Sequence, residues 1–401
     1  MTASTADTPK ALLAFLQVRV ACPTQPTATS IDGYTRLTVV FQPSDPPNGS
    51  ERDYKDGQNL LVRYLRGRSI SRVLSVKADV LDTKLQGTVP LIAVSHASNK
   101  TEGETWSTAM TSRQWLTPYF RINPATGVAL EVSLAASTSY QSSAAGNVLD
   151  LLGRATKLIA PSSTLVSSLN QERFKDASQF VDQTLNSLFQ ESITERVPNQ
   201  FSAAALNGGP LISIDVSFPI KGDITAKSPK PEDKPVLIGR WIVYAEQPML
   251  SVFSALPMPA GGVSGASAAG GCETLRTDLQ EACRAFRYVS PAAILNYTVG
   301  ADTNLAQTLA SDAGITAARD KLVQIPPREE QQIKDAAGNL CALIATKVQQ
   351  IGFSRFDTSA VLWAYGTQAF VGGTAAREMR NAATCPALEA GYAVGLKDRT
   401  Y

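Results

Sequence analysis

The chain is poor in histidine and in charge. Among its 401 residues there is one histidine, His96, and only 18% are charged. A single histidine excludes any metal or catalytic site built from two or more histidines. Basic and acidic residues nearly balance, 37 against 35, so the formal net charge of +2 creates no general attraction for nucleic acid or anionic membranes. Because 44% of the residues are hydrophobic, the composition predicts a soluble, folded protein with an ample core.

The sequence motifs of nucleotide and metal sites are also missing. There is no G-x-x-x-x-G-K-S/T loop and no G-x-G-x-x-G motif that opens a helix after a strand. No C-x-x-C pair is present, and the alternating oxygen ligands of an EF-hand are absent. We therefore predict no cofactor and no bound metal.

Long apolar runs are absent as well. The first ten residues have neither the basic start nor the apolar centre of a signal peptide. No window approaches the roughly 18 uninterrupted apolar residues of a membrane-spanning helix. These features predict no transmembrane segment and a cytoplasmic location, or an extracytoplasmic one if a signal peptide has been removed.

The five cysteines are few and scattered, which excludes a disulfide-dense scaffold. We expect them to be buried, reduced thiols that act as small hydrophobic residues. The alternative is one bridge, either Cys341–Cys385 or Cys283–Cys341. On a single helix, Cys272 and Cys283 would lie too far apart to pair. The remaining cysteine is Cys22.

The first third of the chain alternates between apolar and polar residues. A period of two with one polar face predicts antiparallel strands that are half buried, and several short strands separated by turn residues predict a β-sandwich. The alternating apolar positions are Leu16, Val18, Val20 and Cys22; Leu37, Val39 and Phe41; Leu74, Val76, Ala78 and Val80; and Val128, Leu130, Val132 and Leu134.

After about residue 137 the apolar spacing changes to that of helices. Two helices are predicted, within 148–159 and 174–188, and each is followed by a proline. Strand character returns at 212–218, with Asp215 on the polar face of that strand. Residues 221–235 read as a long exposed hairpin loop. The next two apolar segments, 236–245 and 249–253, are predicted to form a second hairpin.

Residues 257–271 are small and rich in glycine, which predicts a flexible linker. Helical spacing dominates beyond it. Leu305 to Ala317 is predicted to form one segment, and Pro326-Pro327 opens a helix with Glu329 and Glu330 in its first turn. The predicted apolar face of that helix consists of Ile333, Ala336, Ala337, Leu340, Ile344 and Val348. Asp357 is the expected N-cap of the next helix, which ends at Gly372-Gly373.

The predicted fold class is therefore α+β: an antiparallel, β-sandwich-like N-terminal half with inserted helices, plus an α-helical C-terminal domain. The predicted divisions are a β domain at 1–136, a helical insertion and β hairpin that packs on the sheet at 137–256, the linker at 257–271, and the helical domain at 272–401.

Candidate catalytic residues are few. Ser264 lies in G-V-S-G-A, one residue short of a nucleophile elbow, and no strand leads into it. His96 lies at the exit of a short predicted strand, where a structural rim position is the simpler interpretation. Glu102 and Glu104 lie in a polar loop beside Trp106, and a glycosidase needs two such carboxyl groups across a cleft. These residues are compatible with hydrolysis of a carbohydrate or an ester, but no motif specifies it.

One basic cluster is present: Arg63, Arg66, Arg68 and Arg72. Guanidinium groups bind phosphates and carboxylates, so this cluster is a candidate binding site for an acidic protein partner or a polyanion. The simpler interpretation is a solvated strand edge, because edge strands commonly carry charges that prevent aggregation.

The absent motifs favour a structural or protein-interaction protein over an enzyme. We expect a protein partner or self-association and no nucleic-acid partner. The predicted contact surfaces are three long polar loops, 44–56, 95–113 and 221–235. The alternative is a hydrolase that uses a carboxylate pair or a Ser-His site that the sequence does not reveal.

Overall fold

The computed structural model describes residues 16–20, 32–43, 71–83, 85–99, 103–137, 191–196, 200–219, 235–255, 289–300, 302–368 and 373–392, and single positions at 165, 169, 176, 179 and 183. These residues form both strands and helices, which confirms the α+β class. The strands are β1 (Leu16–Val20), β2 (Gly33–Thr35), β3 (Leu37–Pro43), β4 (Ser71–Val80), β5 (Leu85–Asn99), β6 (Gly103–Met110), β7 (Arg113–Trp115), β8 (Phe120–Ile122), β9 (Gly127–Ser137), β10 (Glu191–Arg196), β11 (Phe201–Ser202), β12 (Gly209–Pro219) and β13 (Pro235–Ala245). The α-helices are α1 (Pro291–Leu295), α2 (Leu305–Ala310), α3 (Ala313–Gln324), α4 (Glu330–Ile351), α5 (Arg355–Gly366), α6 (Gly373–Met379) and α7 (Glu389–Tyr392).

The strands form three antiparallel sheets. The five-stranded sheet has the order β1-β12-β13-β3-β7, and the six-stranded sheet has the order β10-β9-β4-β5-β6, with β11 also paired to β9. The third sheet is the pair β2-β8. Buried residues of the two larger sheets belong to one hydrophobic cluster, which includes Val76 of β4, Ile214 of β12 and Trp241 of β13.

The predicted alternation is confirmed where the side chains are described. Leu74, Val76, Ala78 and Val80 of β4 are all at most 4% exposed, and Val128, Leu130 and Val132 of β9 are equally buried. A period-two apolar pattern puts these side chains on one face of their strands. The apolar alternation in the sequence therefore predicted which side chains of β4 and β9 lie in the core.

The hairpin predicted between residues 236–245 and 249–253 was wrong. Residues 236–245 lie in β13, which pairs with β12 and β3 instead of with 249–253. The latter segment makes one isolated bridge, Tyr34 to Met249, and then a 3-10 turn at Val252–Ala255. Strand β12 is longer than the segment 249–253 and alternates between apolar and polar residues, so it is the partner of β13. The paired residues at the loop end of this hairpin are Pro219 and Pro235.

The predicted polar loop at 95–113 is largely a hairpin instead. Residues 95–99 continue β5, and residues 103–110 form β6 at the edge of the six-stranded sheet. An antiparallel edge strand can expose polar side chains to water, so the lack of an apolar pattern did not exclude a strand here.

Helix α4 has the predicted apolar face. Ile333, Ala337, Leu340, Ile344 and Val348 are buried, and the helix begins at Glu330. The segment that read as one helix from Leu305 to Ala317 is divided into α2 and α3. Asp312 separates them, because its carboxylate caps α3 by accepting hydrogen bonds from the Gly314 and Ile315 N–H groups.

Asp357 is not the N-cap of its helix. Ser354 caps α5, because its hydroxyl oxygen accepts a hydrogen bond from the Asp357 N–H at 3.1 Å. Asp357 therefore lies inside the first turn and is fully buried. The helix ends at Gly366, earlier than predicted, and Gly373 begins α6.

The second hydrophobic cluster lies among the helices, but it also contains residues from the strand-rich half. Tyr34 of β2 and Phe253 of the 3-10 turn belong to it. The ring centroid of Phe253 lies 5.3 Å from that of Tyr297 and 5.6 Å from that of Phe353. The strand-rich and helix-rich parts are therefore in direct contact through packed aromatic side chains.

The reduced state predicted for Cys341 and Cys385 was wrong. These two residues form a disulfide with a Cα–Cα distance of 5.7 Å, as the alternative interpretation allowed. The bridge ties α4 to the turn that follows α6. Both sulfurs lie in the helical core, where Cys341 is 2% and Cys385 0% exposed. Cys22, Cys272 and Cys283 lie outside the described residues.

Several predictions fall on the rest of the chain. The helix at 148–159 and the loops at 44–56 and 221–234 lie outside the described residues, as does the linker at 257–271, so the domain divisions remain predictions. Asp176, Gln179 and Gln183 of the helix predicted at 174–188 are helical and exposed, which fits its polar face. Within the described part of the chain, no helix is both long and apolar enough to cross a membrane.

Candidate functional site

The basic cluster is largely beyond the described ranges, because Arg63, Arg66 and Arg68 lie outside them. Arg72 lies in β4, which has β9 on one side and β5 on the other. The interpretation of Arg72 as a residue of an edge strand was therefore wrong. Its register partners are Val94 and Ala136.

The structure brings two of the three catalytic candidates to the same hairpin. His96 of β5 is paired with Trp106 of β6, and Ser98 is paired with Glu104. Directly paired residues share a face of a sheet, and so do residues two apart on one strand. These four positions therefore share one face of the β5–β6 hairpin. Glu102 lies outside the described residues.

Asp215 is the other carboxylate that the sequence singled out. It does not lie on a solvated face, because only 3% of its surface is exposed. Its Oδ1 forms an ion pair with Nε of Arg240, at 3.2 Å, on the neighbouring strand β13. Asp215 thus belongs to the packing of the five-stranded sheet.

A cluster of eight polar side chains lies between the sheets and the helices. We call it the polar junction: Asp32, Tyr34, Arg36, Arg121, Glu246, Ser251, Ser354 and Asp357. It is organised by the segment 32–38, which contains β2 and the start of β3. Side chains of this segment contact β8, residues 246–252 and the beginning of α5.

Asp32 begins the polar junction. Its carboxylate accepts hydrogen bonds from Nε and Nη2 of Arg121, at 2.7 and 3.1 Å. The same carboxylate accepts one from the Arg355 N–H at 2.9 Å. That N–H lies at the free start of α5, where a carboxylate also interacts favourably with the helix dipole. Asp32 thereby joins the β2–β8 pair to the helix.

Tyr34 is the second connection to α5. Its side chain is fully buried, and its hydroxyl oxygen accepts a hydrogen bond from the Ser354 N–H at 2.5 Å. The Ser354 hydroxyl in turn donates to the Leu250 carbonyl at 3.4 Å. Burial raises the pKa of Tyr34 well above its usual value, and the nearby Asp357 carboxylate raises it further. Tyr34 therefore stays neutral.

Asp357 lies at the centre of the polar junction. Its Oδ2 accepts a hydrogen bond from the Val252 N–H at 3.0 Å, while its Oδ1 is buried without a hydrogen-bond partner. Loss of solvation raises its pKa to about 7, and hydrogen bonds with Ser251, Val252 and Tyr34 only partly oppose that rise. A buried carboxyl group with a pKa near neutrality is the kind of group that titrates under physiological conditions.

Arg36 contacts two aromatic rings and a carboxylate within the polar junction. Its guanidinium carbon lies 4.2 Å from the ring centroid of Trp115 and 4.5 Å from that of Tyr119. Its Nε also pairs with Glu246 Oε2 at 2.7 Å, and Glu246 Oε1 accepts a hydrogen bond from the Thr38 hydroxyl. A guanidinium between two aromatic rings, with a carboxylate partner, is held in one position.

Sequence reasoning missed the polar junction. Arg36 and Glu246 are 210 positions apart, and Tyr34 and Ser354 are 320 apart, so no local spacing reports these contacts. One signal was available: Asp357 stands three residues after Ser354, and a serine followed by an acidic residue at that spacing is typical of a helix start.

Replacing Tyr34 by phenylalanine tests the importance of the junction for stability. Tyr34→Phe is expected to lower the free energy of unfolding by about 1–3 kcal/mol, because the buried Ser354 N–H loses its acceptor. Chemical denaturation measures the change. The matched control is Tyr244→Phe, in a side chain of β13 that is only half-buried, which is expected to change stability by less than about 0.5 kcal/mol. Equal effects of the two substitutions would contradict the assigned hydrogen bond.

Comparison with known proteins adds no assignment. The chain matches no protein-family model, no curated protein and no solved structure. Within the described residues, no group of three or more histidine, cysteine, aspartate or glutamate side chains is arranged to hold a metal ion.

Proposed function

We propose that this chain is a non-enzymatic structural or protein-interaction protein, in which the sheets and helices form one framework that presents surfaces to a partner or to further copies. The observation that carries the proposal is the set of contacts made by the buried and half-buried polar groups. Asp32, Tyr34, Arg36, Glu246 and Asp357 all contact other segments of the same chain. Their side chains connect elements of the fold.

The arrangement of the sheets supports the same proposal. Because the two larger sheets contribute to one hydrophobic cluster, we propose that they pack face to face as a β-sandwich. A sandwich leaves the outer strands and the connecting loops available for contacts. In the described ranges, β6 and β10 are the outer strands of the six-stranded sheet.

The test is purification of the full chain from its native source after mild crosslinking, followed by mass spectrometry. The proposal predicts a crosslinked species of fixed stoichiometry, either with one partner protein or between copies of the chain. The control is the same purification without crosslinker and at high salt, which removes weak ionic contacts. Recovery of uncrosslinked single chains alone would contradict the proposal.

A second candidate function is a hydrolase that acts on a carbohydrate or an ester. The specific observation in its favour is the register of the β5–β6 hairpin, which gathers Ser98, His96 and Glu104 on one face. A serine, an imidazole and a carboxylate are the groups of a nucleophile, a general base and an orienting acid. Hydrolysis of a glycoside or ester by the chain, abolished by His96→Ala and retained by Gln86→Ala elsewhere on β5, would favour this candidate over the first.

A further inference from the structure

We propose that Asp357 is a pH-sensitive latch, which holds the start of α5 against β2 and residues 250–252 when its carboxyl group is protonated and releases it on ionisation. The proposal goes beyond an assembly role, because it makes the attachment of the helices to the sheets depend on pH.

Asp357 is buried at a point that connects several parts of the fold. Its side chain is 0% exposed, and it lies where three segments meet: α5, which carries it; residues 251–252; and β2, through Tyr34. A structural change at this one carboxyl group therefore affects the contacts among all three segments.

The hydrogen bonds of Asp357 are unevenly divided between its two carboxyl oxygens. The Val252 N–H donates to Oδ2, and Ser251 and Tyr34 also form hydrogen bonds with the carboxyl group, whereas the buried Oδ1 has no partner. An ionised carboxylate needs donors for both oxygens, and a buried charge without them is strongly unfavourable. A neutral carboxyl group is less affected by the missing donor.

The titratable groups that face Asp357 are two tyrosines and one acid. From β2 and the residue before it, Tyr34 and Asp32 face the group; from the segment after α1, Tyr297 does. Two of these are neutral tyrosines, and Asp32 is an acid that opposes ionisation of Asp357. The Arg121 guanidinium is paired with Asp32, and the Arg355 backbone N–H also donates to Asp32. Among the described residues, no cationic side chain forms an ion pair with Asp357.

The burial of Asp357, the missing donor and the neighbouring acid together determine what happens when it ionises. When Asp357 ionises, the least unfavourable response is to bring its carboxylate to water. That movement breaks the hydrogen bond from the Val252 N–H and disturbs the one from the Ser354 N–H to Tyr34, which are two of the contacts that hold the start of α5 against the other segments. The rise of its pKa to about 7 places the transition near neutral pH.

The test is amide hydrogen exchange of the full chain at pH 6 and pH 8.5, corrected for the intrinsic pH dependence of exchange. The Val252 and Ser354 amides of the natural sequence are expected to lose at least about tenfold in protection at the higher pH. In Asp357→Asn, which keeps an acceptor for Val252 and cannot ionise, the loss should disappear. Asp335→Asn, an exposed site on α4, is the matched control and should behave as the natural sequence does.

Two results would overturn the proposal. The first is the same loss of protection in the natural sequence and in Asp357→Asn. The second is equal protection of the junction amides and of the α4 core amides Leu340 and Ile344 at pH 8.5, since that means global unfolding instead of local opening. If Asp357→Asn does not fold, titration of the Asp357 carboxyl carbon by NMR replaces it: a midpoint near 7 supports the latch, and one below about 5 overturns it.

Discussion

Replacing Cys341 and Cys385 together by alanine is expected to lower the free energy of unfolding by about 4 kcal/mol. The two cysteines are 44 residues apart in the sequence, and a crosslink across a loop of that size removes about this much conformational freedom from the unfolded chain. Alanine is the suitable replacement, because a serine hydroxyl would be buried in the apolar helical core.

Chemical denaturation with and without reductant measures this effect. The natural sequence should denature at a lower midpoint when reductant is present, and the double variant should not respond to reductant. Cys341→Ala alone should resemble the double variant, because either loss opens the same loop. A natural sequence whose midpoint is unchanged by reductant, and which titrates as five free thiols when denatured, would contradict the bridge.

The second large effect is a loss of stability as the pH rises, with Asp357 as its source. In the folded chain, burial raises its pKa from the ordinary value of 3.8 to about 7. A group whose folded pKa is raised binds its proton more tightly in the folded state, so its contribution is complete below the unfolded pKa and is lost as pH rises through the folded pKa. At roughly 1.4 kcal/mol per pKa unit, the loss is about 4 kcal/mol in total, and more than half of it falls between about pH 5 and pH 8.

Denaturation midpoints measured from pH 5 to pH 8.5 test this second prediction. Asp357→Asn should remove most of the pH dependence and should exceed the natural sequence in stability at the alkaline end. Asp335→Asn is again the control, because it makes the same chemical change at an exposed position on α4. If the natural sequence gains stability over this interval, then Asp357 is ionised in the fold and its environment is not the one inferred from the polar junction.

The parts of the fold that were predictable share one property: they depend on local periodicity. The apolar face of α4, from Ile333 to Val348, and the inward side of β4, from Leu74 to Val80, are both set by spacing along the chain. The edge hairpin of β5 and β6 was missed for the same reason, because residues 95–110 are mostly small or polar and show no apolar alternation in the sequence.

The candidate site could not be predicted in the same way, because its contacts join distant segments. The stack of Arg36 on Trp115 and Tyr119 requires β3, β7 and the segment before β8 to be in place first. The burial of Asp357 depends on Tyr34 and Val252, which come from opposite ends of the strand-rich half. Periodicity identified Asp357 only as a residue near a helix start, and the fold turns it into a buried acid.

The measurement that tests the central claim most directly is the solution mass of the purified full chain by light scattering at micromolar concentration, repeated with the partner recovered from crosslinking. An interaction protein is predicted to have the mass of two or more whole chains, or to form a complex of fixed stoichiometry with that partner. A mass equal to one chain under both conditions, together with turnover of a glycoside or ester that His96→Ala abolishes, would contradict it in favour of the hydrolase.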